Sequence, residues 1–79
     1  MKCLATKQGI LKSKIASKLK RLRTESGLSQ KEVSLSLMID QSHLSLIENS
    51  KISPRIETIA MLLDVYKTSF CDFFEDIKY

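Results

Sequence analysis

Helix-start signals recur so closely along this chain that no long stretch can fold by itself. Ser13, Ser29, Asp40, Ser53-Pro54 and Ser69 each stand just before an apolar pattern of helical period. Isolated helices below about 12–15 residues are marginal in water, so the pieces must bury their apolar stripes against one another. Ser29-Gln30-Lys31-Glu32 has the form of a capping box: the hydroxyl takes the N–H three residues on, and Glu32 reaches back. Ser69-Phe70-Cys71-Asp72 repeats it, and Ser53-Pro54 sets a cap before a proline at the first helical position. The apolar stripes are Ile15, Leu19, Leu22; Val33, Leu37; Leu44, Ile47; and Ile56, Ile59, Leu62, Leu63, Tyr66. No segment alternates with period two, so the reading is all-α.

The expected boundaries follow from these signals. Residues 1–12 read as a basic lead-in, with Gly9 interrupting any earlier helix, and residues 13–77 as one domain. The first helix runs from Ser13 to Gly27, which suits a left-handed C-terminal cap. The second covers about 29–37, the third about 41–49, and a short fifth about 69–76. Two short helices separated by about three residues have the shape of a helix-turn-helix. With 79 residues there is room for one small core, and oligomerisation would help to stabilise it.

The formal charge of +4 conceals a division along the chain. Residues 1–31 carry nine Lys or Arg against the single Glu25, and residues 32–79 carry four against eight Asp or Glu. One side of such a molecule is suited to a polyanion. Cys3 and Cys71 form no C-x-x-C pair and join no His cluster, so no metal site or cofactor is expected. No apolar run approaches the roughly 20 residues of a membrane span. The N-terminus lacks an apolar signal region, and the expectation is a cytoplasmic protein with no membrane partner. A P-loop, a nucleophile–His pairing and a recognisable carboxylate dyad are all missing, which argues against an enzyme.

Residue identities sharpen this. Gly27-Leu28-Ser29-Gln30-Lys31-Glu32-Val33 resembles the G-L-[ST]-Q-x-[ED]-[LV] opening of the Cro/C1-repressor-type helix-turn-helix family. The run from Ile39 to Asn49 is similar to its V-[SD]-x-x-x-I-S-x-[IL]-E-[RN]. Pro54-Arg55-Ile56-Glu57-Thr58-Ile59 resembles P-[ST]-x-x-T-L, and Ser69 to Phe74 resembles S-L-x-[DE]-[LF]-F. The segments keep their spacing over about residues 13–77. The flavour is that of small regulators, either restriction–modification controllers or phage-type repressors. Where the family often has Gly, this chain has Met38, Ser50 and Lys67. A non-Gly residue in a left-handed turn costs roughly 1 kcal/mol, so those turns are either strained or built differently.

The resemblance implies a five-helix, lambda-repressor-like domain that binds double-stranded DNA as a homodimer, its third helix in the major groove. On that reading Gln41, Ser42, Ser45 and Leu46 read bases. Gln41 suits the bidentate edge of adenine, and Leu46 a thymine methyl, a dimer partner or the core fringe. Gln30, His43, Asn49, Ser50, Lys51 and Arg55 hold the DNA backbone. Arg23 and Glu48 match positions that form an ion pair between helix one and the recognition helix. Phe70, Phe73 and Phe74 are assigned to the dimer contact, Phe70 and Phe73 also closing the core. The alternative keeps the fold and makes the chain an antitoxin or other protein-binding module.

Overall fold

The computed structural model describes residues 3–75 and 77, with side chains from residue 11 onward. Among these residues there are five helices and no strand: α1 Cys3–Glu25, α2 Gln30–Leu37, α3 Gln41–Glu48, α4 Ile56–Val65 and α5 Phe70–Glu75. α1 departs from expectation by starting ten residues before Ser13, which lies within it. Serine caps a helix only where the preceding residue leaves helical geometry. Here Leu11, Lys12 and Lys14 are good helix formers, and one glycine costs only about 1 kcal/mol. The expected interruption at Gly9 and the non-helical lead-in are therefore both absent from residues 3–12. The proposed end of helix five at Asp76 lies outside the described residues.

The starts of the other helices show which caps function. Glu32 N–H donates to Ser29 Oγ at 3.0 Å, and Ser29 N–H donates to Glu32 Oε1 at 2.8 Å, completing the capping box. Asp40 occupies the cap position of α3 without a side-chain hydrogen bond. α4 begins two residues later than the Ser53-Pro54 signal implies, with Arg55 at its cap position and no side-chain bond. Arg55 stands where the family pattern has Ser or Thr, and its long cationic side chain offers no acceptor to the first N–H groups. For α5, Asp72 N–H donates to Ser69 Oγ at 3.0 Å.

The ends of α1 to α4 are all built alike. Each closes with a left-handed residue: Gly27 at φ 74°, Met38 at 57°, Ser50 at 62° and Lys67 at 56°. Around each, the N–H of that residue bonds back three positions and the next N–H bonds back five. Gly27 reaches Thr24 O and Leu28 reaches Arg23 O; Lys67 reaches Asp64 O and Thr68 reaches Leu63 O. This is the Schellman motif. Met38, Ser50 and Lys67 thus keep the glycine geometry and carry its strain.

Burial explains why the chain accepts that strain. Leu19 of α1, Val33 of α2, Leu44 and Ile47 of α3, Ile59, Leu62 and Leu63 of α4 with Tyr66 at its C-terminal cap, and Phe73 of α5 form one core. Each turn re-aims its helix so that these side chains converge. Three residues, Met38 to Asp40, join α2 to α3, and α3 packs against both α2 and α1. One face of α3 is held by the core and the other faces solvent.

Lys67 lies far in sequence from α3, so its strain can be tested alone. Lys67→Gly is expected to stabilise the fold by about 1 kcal/mol, raising the thermal midpoint by about 4–8 °C. Gly27→Ala is expected to lower it, although an added Cβ would meet nothing within 4 Å, because the cost is purely backbone. Unchanged midpoints in differential scanning calorimetry would contradict the account of these turns.

Candidate nucleic-acid interface

The solvent face of α3 holds the residues that sequence reasoning selected. Gln41, Ser42 and His43 fill its first turn and are exposed; Ser45 is half-buried, and Leu46 is 43% exposed. Gln41, Ser45 and Asn49 recur every four residues, with Ser42 and Leu46 beside them, so they share a stripe. Leu44, Ile47 and Glu48 occupy the buried side. Asn49 Nδ2 donates to Ser45 O at 2.9 Å and to Ser45 Oγ at 3.2 Å, tying the far end of the stripe together. Because Oγ accepts here, the Ser45 hydroxyl hydrogen remains available to donate. Lys51 and Arg55 are exposed beyond the helix, and Ser50 is half-buried in its left-handed turn.

An ion pair beneath this surface fixes how α3 sits on α1. Arg23 Nε donates to Glu48 Oε2 at 2.8 Å, and Nη2 donates to Oε1 at 3.2 Å. Their side chains are 11% and 1% exposed. Arg23 Nη1 also donates to Leu28 O at 2.8 Å, so one guanidinium joins α1, the α1–α2 turn and α3. Gln30, expected only at the DNA backbone, donates its Nε2 to Glu48 Oε1 at 3.0 Å. No sequence spacing indicates a bond between residues 18 positions apart; only the packing of α2 on α3 creates it.

Tyr66 adds a feature that sequence reasoning missed. Its hydroxyl is the one buried side-chain polar atom among the described residues with no hydrogen-bond partner. Burial pushes its pKa from 10.0 to about 12, the Glu48 carboxylate pushes in the same direction, and Arg23 opposes them. A cue was available: Tyr66 continues the apolar stripe of α4, a position where Phe would serve.

The aromatic end differs from expectation. Phe73 is fully buried in the core, so it has no surface to offer a dimer partner. Phe70, expected to help close the core, is instead 40% exposed and stacks on Phe74, their rings 6.0 Å apart and parallel within 1°. On a helix, i and i+4 side chains fall on one face, and only Phe73 of the three points inward. Phe74, 37% exposed, also packs perpendicular to Phe73, their ring centroids 4.9 Å apart. Cys71 is an exposed free thiol on the same helix.

The site is convex. A groove of about 410 Å³ lies elsewhere, lined by Ser13, Lys14, Ser17, Lys18, Arg21 and Ile77, with no residue of α2 or α3. No described helix is long and apolar enough to cross a membrane. Among the described residues, no group of three or more His, Cys, Asp or Glu could hold a metal ion.

A short helix wedged behind a second, with one polar face free and the other anchored, defines a helix-turn-helix module. Residues 19–73 match the helix-turn-helix family profile, and the chain belongs to the Cro/C1-type helix-turn-helix family of DNA-binding transcription regulators. Over 59 residues it is 37% identical to the HTH-type transcriptional regulator PuuR of Escherichia coli (strain K12) and to that of Shigella flexneri. The match covers 75% of this chain and 32% of each relative, so the chain spans about a third of their length. No solved structure matches the chain significantly.

Tyr66 yields a signed prediction. Between pH 10 and 12 the unfolded chain has shed this proton while the folded chain keeps it, so stability falls through that window by up to about 1.4 kcal/mol per pH unit. Tyr66→Phe should remove this part of the alkaline loss and leave neutral-pH stability equal or higher, because an unpaired buried hydroxyl disappears. Urea unfolding across that range checks both. An unchanged alkaline slope would contradict the placement of the hydroxyl.

Proposed function

We propose that this chain is a sequence-specific transcriptional regulator, binding double-stranded DNA as a homodimer on a palindromic operator. The observation that carries the reading is the solvent face of α3, where Gln41, Ser42, Ser45 and Leu46 stand together on a helix anchored from behind. In the major groove, the Gln41 amide both donates to and accepts from an adenine edge, a pair worth about 1–3 kcal/mol of discrimination. Ser42 and Ser45 reach base edges or phosphates, and Leu46 meets a thymine methyl. Gln30 with the start of α2, and His43, Asn49, Ser50, Lys51 and Arg55 around α3, contact the backbone and set register.

The homodimer reading is supported by the stacked pair Phe70 and Phe74, exposed on α5 where a small domain gains from covering them. Phe73 contributes from within, by fixing the angle of Phe74. Twofold pairing there sets two copies of α3 about one DNA turn apart, roughly 34 Å. Asp72 and Glu75, exposed on the same helix, keep that end away from phosphate. On this reading the chain is a cytoplasmic, non-catalytic protein.

Binding to the DNA upstream of its own gene, followed against salt, tests the reading. Affinity should fall steeply with rising salt. Gln41→Ala should weaken binding to that site about tenfold and leave binding to unrelated duplex nearly unchanged. Lys51→Ala should weaken both alike and reduce the salt slope by about one. No preference above unrelated DNA, with tight binding to a protein partner instead, would overturn the reading in favour of an antitoxin.

A further inference from the structure

We propose that Glu48 is a positioning residue for the DNA backbone contact: it aims the Gln30 side chain at a phosphate before DNA arrives. The proposal rests on the backbone role given to Gln30 above. Gln30 is the first residue of α2 and Glu48 the last of α3, and their side chains meet at 3.0 Å. A glutamine amide has two N–H donors and one acceptor. One N–H is committed to Glu48, which fixes the plane of the amide. The second N–H and Oε1 have no partner among the described residues. Beside them, the backbone N–H groups of Gln30 and Lys31 are also unbonded, at the positive end of the α2 dipole.

The acceptor is a carboxylate, and hydrogen bonds to a charged partner are roughly twice as strong as neutral ones. Arg23 supplies the counter-charge through two contacts, so the buried carboxylate does not repel an approaching phosphate. A glutamine immobilised on binding loses more side-chain entropy than most residues. Here much of that ordering is complete in the free protein. The buried pair thus bears on DNA affinity as well as on the docking of α3, although neither of its side chains lies on the exposed face.

A double-mutant cycle on the full chain tests this, with a short mixed-sequence duplex at low salt as the probe, since phosphate contacts do not depend on sequence. The comparison background is Arg23→Met with Glu48→Leu, because exchanging a buried ion pair for apolar residues is often neutral for folding. Gln30→Ala should weaken binding about tenfold in the native chain and less than about twofold in that background. Equal losses in both backgrounds would overturn the positioning role while leaving the Gln30 contact standing. No loss in the native chain would remove the contact and the proposal with it. ¹⁵N relaxation of the Gln30 side-chain amide in the DNA-free native protein gives a second reading that needs no variant. Order close to that of the backbone is expected, and a freely moving amide would overturn the proposal.

Discussion

The contact between Arg23 and Glu48 organises the rest of the molecule. Hydrophobic packing is non-directional, so Leu44 and Ile47 hold α3 in the core but constrain its rotation weakly. A guanidinium fork against a carboxylate has one good geometry. With Nε at 2.8 Å from Oε2 and Nη2 at 3.2 Å from Oε1, that geometry sets α3 against α1. Taking both charges out of water is costly, and a buried pair is poor evidence of net stability. The cost is offset here by the further bonds to Leu28 O and from Gln30, which satisfy both groups. What the pair adds is definition of how α3 sits on the domain.

A second constraint is the shortness of the turns. Four helices must reverse within a few residues, and all four use the same left-handed ending. Only α1 has glycine there. The strain at Met38, Ser50 and Lys67 is tolerated because the turns deliver nine side chains from five helices into one core. Two of these residues flank α3, so the same turns that close the core also set the ends of the surface helix.

Much of this was legible in the sequence, where a local rule applied. The caps at Ser29 and Ser69, the turn at Gly27 and the apolar stripes are decided by residues within four positions of one another. Local rules failed at Ser13 and Gly9, where a signal for a break was outweighed by helix formers on both sides. They failed again at Arg55, which holds a cap position without the chemistry of a cap. The apolar pattern alone lets both Phe70 and Phe73 face inward, and the packing of α5 on α4 decides that Phe73 does while Phe70 shares the outer face with Phe74. The link from Gln30 to Glu48 and the unpaired Tyr66 hydroxyl depend on how α2, α3 and α4 meet, and no spacing in the chain encodes them.

The proposed reading of DNA by a twofold pair of these chains through α3 has a direct test. Selection of bound sequences from a random duplex pool measures this directly. Enrichment of an inverted repeat with half-site centres about 10 base pairs apart, with adenine at one or more symmetric positions, is expected. A pool that enriches no sequence, or one without twofold symmetry, would contradict it.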